Sequence, residues 1–439
     1  MVLDDLKFGV ATSAYQIEGA WNEDGKVPSI WDEISHGNMK WKVEENHTGD
    51  IACDHYHKYP FDVRLMKDLG VHMYRFSISW SRICTQECMC SNIKGIKYYQ
   101  SLVWNLLEAK IEPFITLYHW DLPKWLDDIG GWGNKKSIEY FKCYAETMFK
   151  ALPDVKYWIT FNEPAVFISN HWGHNNLSKA IKNVLIAHGE VAKLAKKYNK
   201  KIGISLNLMP VIPNNDLSKY DRKAADNFDK LHNKIWLDPI FKGEFPDEIN
   251  EIEDFGGKLK FNKKEKKIVS TPIDFLGINY YSMVKVEYSS NNKNHFRQVP
   301  FSELGVKKDD MGVSIIPEGL YSICSKMKRE YGNPELYITE NGCATSDVIY
   351  HDARVHDSER INYIKNHLRM CKLAIDNKVN LKGYFHWSLM DNFEWLYGYG
   401  KKFGLVSVFL PTQSRICKDS YIWYRTFIKN NSFREKVLG

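Results

Sequence analysis

The stretch "YWITFNEP", residues 157–164, decides how this chain is read. Tyr157, Trp158, Ile159, Thr160 and Phe161 are bulky or β-branched, the composition of a strand. They run straight into Asn162, Glu163 and Pro164. Pro164 has no backbone donor and ends the strand. An amide and a carboxylate at the end of an apolar strand are costly to bury unless they are paired or take part in chemistry. For one strand taken alone, a polar end facing water is an equally good reading.

Seven other runs share this character: "FGVATSAY" (8–15), "MYRFSIS" (73–79), "PFITLYH" (113–119), "KIGISLN" (201–207), "DFLGINYY" (274–281), "LYITENG" (336–342) and "KGYFHWSL" (382–389). Between them, "FDVRLMKDLG", "KYYQSLVWNLLEAK", "IEYFKCYAETMFKAL" and "INYIKNHLRMCKLAI" carry apolar residues at helical spacing. Alternating strands and helices imply parallel β-α units, and eight units imply a closed (β/α)8 TIM barrel, an α/β fold. An open doubly wound sheet carries a glycine-rich phosphate turn after its first strand, and "ATSAYQIEG" has none. The 439 residues are therefore expected to form a single catalytic barrel domain, 1–439. The length beyond a minimal barrel falls in β-α loops at 16–60, 282–315 and 388–412.

Composition is that of a globular protein, with 44% hydrophobic and 26% charged residues. The net charge of +6 is scattered apart from "KLKFNKKEKK" (258–267), which reads as a solvated face. No basic stripe or base-reading motif accompanies it, so nucleic acid is not an expected partner. Neither a secretory signal nor a membrane-length apolar run is present. Nine cysteines at irregular spacing suggest mostly free thiols and a reducing, cytoplasmic setting. The sequons at Asn46, Asn176 and Asn430 leave a secreted mature form open. Cys84, Cys88 and Cys90 lack a second paired half or a histidine pair, so they read as structural and no metal is expected.

In a barrel of this kind the reacting groups sit at the C-terminal strand ends. There the chain places Gln16, Arg75, His119 with Trp120 and Asp121, Asn162 with Glu163, Asn207, Asn279 with Tyr281, Glu340 with Asn341, and Trp387 leading to Glu394 and Trp395. Eight polar strand ends out of eight are hard to ascribe to solvation. Amides and carboxylates bond hydroxyls, and aromatic faces stack on sugar rings. Two carboxylates from opposite sides of the ring, Glu163 and Glu340, are what cleavage of a glycosidic bond needs. The inventory calls for no cofactor.

The motifs "WITFNEP" and "YITENG" resemble the two signatures of glycoside hydrolase family 1, the β-glucosidase family. The likeness extends through "ATSAYQIEGAWNEDGK", "GDIACDHYHKY", "YRFSISWSRI", "TLYHWDLP", "DFLGINYY" and "GYFHWSLMDNFEWLYGY". It implies a retaining β-glycosidase that removes a terminal non-reducing β-D-glycosyl residue from a small-molecule or oligosaccharide β-glycoside. By position Glu340 corresponds to the nucleophile and Glu163 to the acid/base, with carboxyl groups about 5–5.5 Å apart. Arg75 and Tyr281 correspond to residues that contact the nucleophile and favour its charged form. The raised pKa expected of Glu163 is attributed mainly to the charge of Glu340. Gln16, His119, Asn162, Glu394 and Trp395 correspond to residues that hold the sugar hydroxyls, and Trp387 to the stacking floor. Asn279 joins the substrate-binding set.

Two departures concern the leaving-group side. After "NEP" the chain reads "AVFISNHWGHNNLSKAIKN", with a family loop shortened. Val313, in "MGVSIIPEGL", stands where the family commonly has a tryptophan platform. Both point to a wider or less aromatic aglycone site. Cys343, just past the nucleophile motif, is expected to pack; if exposed, it would let thiol reagents block the mouth. Glu394 and Trp395 weigh against a 6-phospho-β-glycosidase, since a carboxylate there repels phosphate. The presence of both glutamates weighs against an inactive sugar-binding relative.

Overall fold

The computed structural model describes residues 3, 6–86, 92–171, 177–301 and 305–430. Eight strands form the centre: β1 (Lys7–Ala11), β2 (Met73–Ser77), β3 (Glu112–Tyr118), β4 (Tyr157–Asn162), β5 (Lys201–Asn207), β6 (Phe275–Asn279), β7 (Leu336–Asn341) and β8 (Leu381–Trp387). They close into a parallel barrel in sequence order, with β1 paired to both β2 and β8. This is the (β/α)8 barrel that the alternation predicts. The outer ring consists of α1 (His55–Leu69), α2 (Ile93–Glu108), α3 (Lys136–Ala151), α4 (Leu177–Lys197), α5 (Ile235–Lys242), α6 (Glu318–Glu330), α7 (Ser358–Asp376) and α8 (Asp419–Asn430).

Strands covered on both faces bury nearly every residue, as parallel sheets do. All positions of β2, β6 and β7 are buried. On β2, Tyr74 and Phe76 face the helices in the large outer core, whereas Met73 belongs to the barrel interior with Phe114, Ile159, Phe275, Tyr337 and Phe385. Gly277 keeps that interior narrow, since a Cβ there would lie 2.5 Å from the Ser205 hydroxyl.

The regular alternation breaks on the two strands that carry the glutamates. On β4 the register against β5 slips between Ile159 and Asn162. On β7 the register against β6 slips between Ile338 and Glu340. Such a bulge re-aims the side chains beyond it. Thr339 and Glu340 consequently both bond to barrel-interior groups, although they are consecutive. Asn341 then turns outward, bonded to Tyr280 O (2.6 Å), the Tyr363 hydroxyl (2.9 Å) and the Tyr384 hydroxyl (2.8 Å).

The long loops carry structure of their own. A three-stranded sheet joins Val211–Pro213, Val284–Tyr288 and Phe296–Val299, and Val406–Phe409 pairs with Ser414–Cys417. A buried ion network ties the loops to the helical ring. Lys418 reaches Asp391 (2.7 Å) and Asp347 (2.5 Å), while Arg360 pairs with Asp347 (3.0 Å) and Asp357.

Most of the described cysteines are free thiols, as expected, and one is not. Cys53, Cys143, Cys324, Cys343, Cys371 and Cys417 are free, but Cys84 is disulfide-bonded. Cys88, Cys90, Asn176 and residues 172–176 of the shortened loop lie outside the described residues. Among the described residues, no group of three or more His, Cys, Asp or Glu is placed to hold a metal ion. No helix there is long and apolar enough to cross a membrane.

Candidate active site

The polar strand ends converge at one end of the barrel, and hydrogen bonds join most of them. Arg75, fully buried on β2, is the hub. Its Nη1 donates to Glu340 Oε1 (2.6 Å) and to Thr339 O (3.0 Å). Its Nη2 donates to Asn162 Oδ1 (2.6 Å), and Nε to the Thr116 hydroxyl (3.2 Å). The Tyr281 hydroxyl donates to the other oxygen of Glu340 (2.8 Å). One carboxylate thus receives a cation on one oxygen and a phenol on the other.

Glu163 has a plainer environment. Asn279 Nδ2 donates to Glu163 Oε1 (2.8 Å) and to Asn162 Oδ1 (2.9 Å). Asn279 is itself fixed by the Thr339 hydroxyl, which donates to its Oδ1 (2.7 Å) and accepts from Ser205 (3.0 Å). A continuous path of hydrogen bonds therefore runs from Glu340 through Arg75, Asn162 and Asn279 to Glu163. Glu163 also sits at a left-handed backbone angle, φ 49°. Non-glycine residues seldom occupy that region, and the packing around Glu163 must hold it there.

Electrostatics separate the two acids. The Glu163 carboxyl is pushed up to about 8, first by burial and then by the negative charge of Glu340. Burial is the leading cause, which corrects the expectation that the neighbouring charge dominates. Burial also raises Glu340, but Arg75 and Tyr281 oppose it. The stabilisation of charge by Arg75 and Tyr281 that the sequence implied is therefore present, and burial outweighs it.

The third carboxyl, Glu394, is also raised to about 8, by burial and then by Glu340. Gln16 Nε2 spans Asn392 Oδ1 (2.9 Å), Phe393 O (3.0 Å) and Glu394 Oε2 (3.3 Å). His119 Nε2 lies 3.2 Å from Asn162 Nδ2. Burial and the Arg75 cation hold His119 well below its ordinary pKa, so it is neutral. Its Nδ1 is buried and has no protein partner among the described residues. The imidazole lies near-parallel to Trp387 (centroids 5.7 Å apart, 18°) and to Trp395 (6.1 Å, 18°). Trp395 packs in turn on Trp31 (4.6 Å) and Trp120 (4.7 Å).

Of the eleven residues given a site role from the sequence, Arg75, His119, Asn162, Glu163, Asn279, Tyr281 and Glu340 join this network, Trp387 and Trp395 form the aromatic wall, and Gln16 and Glu394 bond to each other beside Asn392. Several supports were not foreseen: Thr116, Ser205, Thr339 and Asn392. Trp120, noted at the end of the third strand, donates its Nε1 to Asn162 O (3.1 Å). Threonine and serine inside apolar strands look like ordinary strand formers, so only the pairing register reveals them. Asn341 and Asn207 belong elsewhere. Asn341 binds the helical layer, and the Asn207 carbonyl meets His232 Nε2 (3.0 Å). Cys343 is buried and its thiol is pushed up to about 12, so it packs rather than reacts. Gly342 is required between it and Asn341, because a Cβ would lie 1.9 Å from Trp387 O.

The sequence and the fold can be compared with known proteins. A family model described as Glycosyl hydrolase family 1 matches residues 2–433. The β-glucosidase A of Acetivibrio thermocellus is 43% identical over 98% of this chain and 98% of its own. A crystal structure of the GH1 β-glucosidase from Exiguobacterium antarcticum superposes with a TM-score of 0.92 at 38% identity, covering 98% of this chain and 99% of that one. The β-glucosidase from Thermotoga maritima in complex with deoxynojirimycin gives a TM-score of 0.92 at 39% identity over the same shares. With a family match over nearly its whole length and relatives this similar, the chain belongs to glycosyl hydrolase family 1.

Proposed function

We propose that this retaining β-glycosidase cleaves terminal β-D-glucosides with Glu340 as nucleophile and Glu163 as acid/base. The observation that carries the assignment is the unequal solvation of the two acids by protein. Arg75 and Tyr281 direct one hydrogen bond each at the two oxygens of Glu340 and favour its charged form, while Glu163, raised to about 8, keeps its proton at neutral pH. Glu340 attacks the anomeric carbon as Glu163 protonates the departing oxygen. Formation of the ester removes the charge on Glu340 and, with it, one of the causes that raise Glu163. Glu163, having given its proton to the leaving group, therefore stays ionised and can take a proton from the attacking water, which releases the sugar and restores both groups.

Gln16, His119, Asn162, Glu394 and Trp395 are proposed to bind the sugar hydroxyls, with Trp387 beneath the ring. The unpartnered Nδ1 of His119 supports this, since a buried polar atom without a partner is costly unless a ligand supplies one. The names of the relatives and the deoxynojirimycin complex of the Thermotoga enzyme support a glucose-shaped occupant. Hydrolysis of a panel of aryl β-glycosides by the protein and its Glu340→Gln variant tests the proposal. Turnover of the glucoside is expected, falling by at least about a thousandfold in the variant. An active variant, or a folded but inactive native protein, would contradict it.

A further inference from the structure

The loop after β6 contains a hairpin that has no part in the network above. Residues 307–315 fold back with Lys308 paired antiparallel to Ser314. The Ile315 N–H donates to Lys307 O (2.8 Å), and the Asp309 N–H to Val313 O (3.0 Å). Gly312 turns the chain at φ 77°, an angle glycine adopts freely. At the base, the hydroxyl of Ser282, next to Tyr281, donates to Ser314 O (2.7 Å).

The Asp309 carboxylate does two separate things at the tip. Its Oδ1 accepts the N–H groups of Met311 (3.0 Å) and Val313 (2.9 Å), closing the turn. Its Oδ2 accepts the N–H of Ala344 (3.2 Å), four residues past Glu340. Beside it the Asp310 N–H donates to Ala344 O (3.2 Å), and Lys401 Nζ donates to Asp310 O (2.8 Å). The loops after β6, β7 and β8 therefore meet at this tip. Met311 packs, as Tyr281 does, on the cluster that contains Ala344, Trp387 and Phe403. A cavity of about 330 Å³ adjoins the hairpin, lined by Lys307, Asp309, Cys343 and Tyr363 among others. The tip is thus held by its hydrogen bonds to the Ala344 loop and by the packing of Met311, with open space on the Lys307 side.

We propose that Asp309 is a positioning residue for the leaving-group side of the site. Through Ala344 it fixes the tip that carries Met311 and Val313 against the loop following Glu340, without touching the sugar. The proposal rests on the assignment of Glu340 as nucleophile and on the leaving-group place that the family resemblance gives Val313. It has a kinetic signature, because the leaving group is present while the glycosyl-enzyme forms and absent while it is hydrolysed.

Asp309→Asn isolates the effect. The amide retains Oδ1 for Met311 and Val313 but places a donor opposite the Ala344 N–H. The test measures native and variant enzyme on aryl β-glucosides of graded aglycone size, on cellobiose, and on 2,4-dinitrophenyl β-glucoside, whose good leaving group is expected to make hydrolysis of the glycosyl-enzyme limiting. The expected result is a loss in kcat/KM of roughly 5–10-fold for bulky aglycones, graded with their size. The kcat on the dinitrophenyl substrate should stay within about twofold. Asp309→Ser, with one short acceptor for the turn and no second oxygen for Ala344, should give the same pattern. A uniform loss over the series, a parallel fall in the dinitrophenyl kcat, or no change would overturn the proposal. Failure of both variants to fold would make Asp309 a stability residue and overturn it equally. Native enzyme inactive on every substrate would instead refute the glycosidase assignment itself.

Discussion

Glu163 and Glu340 carry the same side chain, and their neighbours make them different reagents. Glu340 meets a guanidinium and a phenol, whereas Glu163 meets one amide in a buried setting. Because Glu163 is raised to about 8, kcat/KM for aryl glucosides with poor leaving groups should fall as pH rises through that value. In Glu163→Gln the alkaline limb should vanish, with kcat/KM lowered by about 10²–10³ and far less for a dinitrophenyl leaving group. Persistence of the limb in the variant would assign it to another group. Both glutamates were legible in the sequence, because a carboxylate at the end of an apolar strand is conspicuous. Thr116, Thr339 and Ser205 were not, because a hydroxyl within a strand is chemically unremarkable until the barrel closes around it. The leading cause of the Glu163 shift was also misjudged, since sequence indicates which charges are near but not how much water is excluded.

At the level of strands and helices, the eight β-α units follow from apolar runs of strand length alternating with helical periodicity. Strand ends fell within a few residues of those expected, as with 201–207 for β5 and 336–342 for β7. The bulges on β4 and β7 could not be read, because strict alternation sends Thr339 and Glu340 to opposite faces. Nor could the small sheet through Val211–Pro213, whose three-residue strand is too short to show a period. The β7 bulge makes Asn341 a bolt between strand and helix, bonded to Tyr280 O, Tyr363 and Tyr384. Asn341→Ala leaves these groups buried and unpaired, so it should cost roughly 2–4 kcal/mol. The check is denaturant unfolding alongside kinetics: lower stability with KM little changed is expected. An unchanged unfolding midpoint would show that the bolt carries no load.

The whole molecule stores cost in its pocket. Glu394 is held at about 8, against an ordinary value of 4.5 in an unfolded chain. Between those values the folded protein retains a proton that the unfolded chain releases, so this group's contribution falls as pH rises from about 4.5 to about 8. Glu394→Gln removes the penalty. At pH 8 the variant should melt higher than the native protein by roughly 1–3 °C, with the gap narrowing toward pH 4.5. Glucoside turnover should drop sharply in the same variant. Parallel melting curves at all pH values would contradict the linkage. Opposing this cost is the buried network of Lys418, Arg360, Asp347, Asp357 and Asp391, which ties α7, α8 and the loops after β7 and β8 into one frame. None of these residues drew attention in the sequence, since charges far apart along a chain look like surface until the fold pairs them. If Glu340 is the nucleophile, it must carry the sugar during turnover, and that can be observed directly. The native protein is incubated with 2,4-dinitrophenyl 2-deoxy-2-fluoro-β-D-glucoside, whose fluorine slows release of the intermediate, and its peptides are weighed by mass spectrometry. One fluoroglucosyl group on the peptide containing "YITENG", absent from Glu340→Gln, is the predicted result; a label on any other residue, Glu163 included, or steady turnover with no adduct, would contradict it.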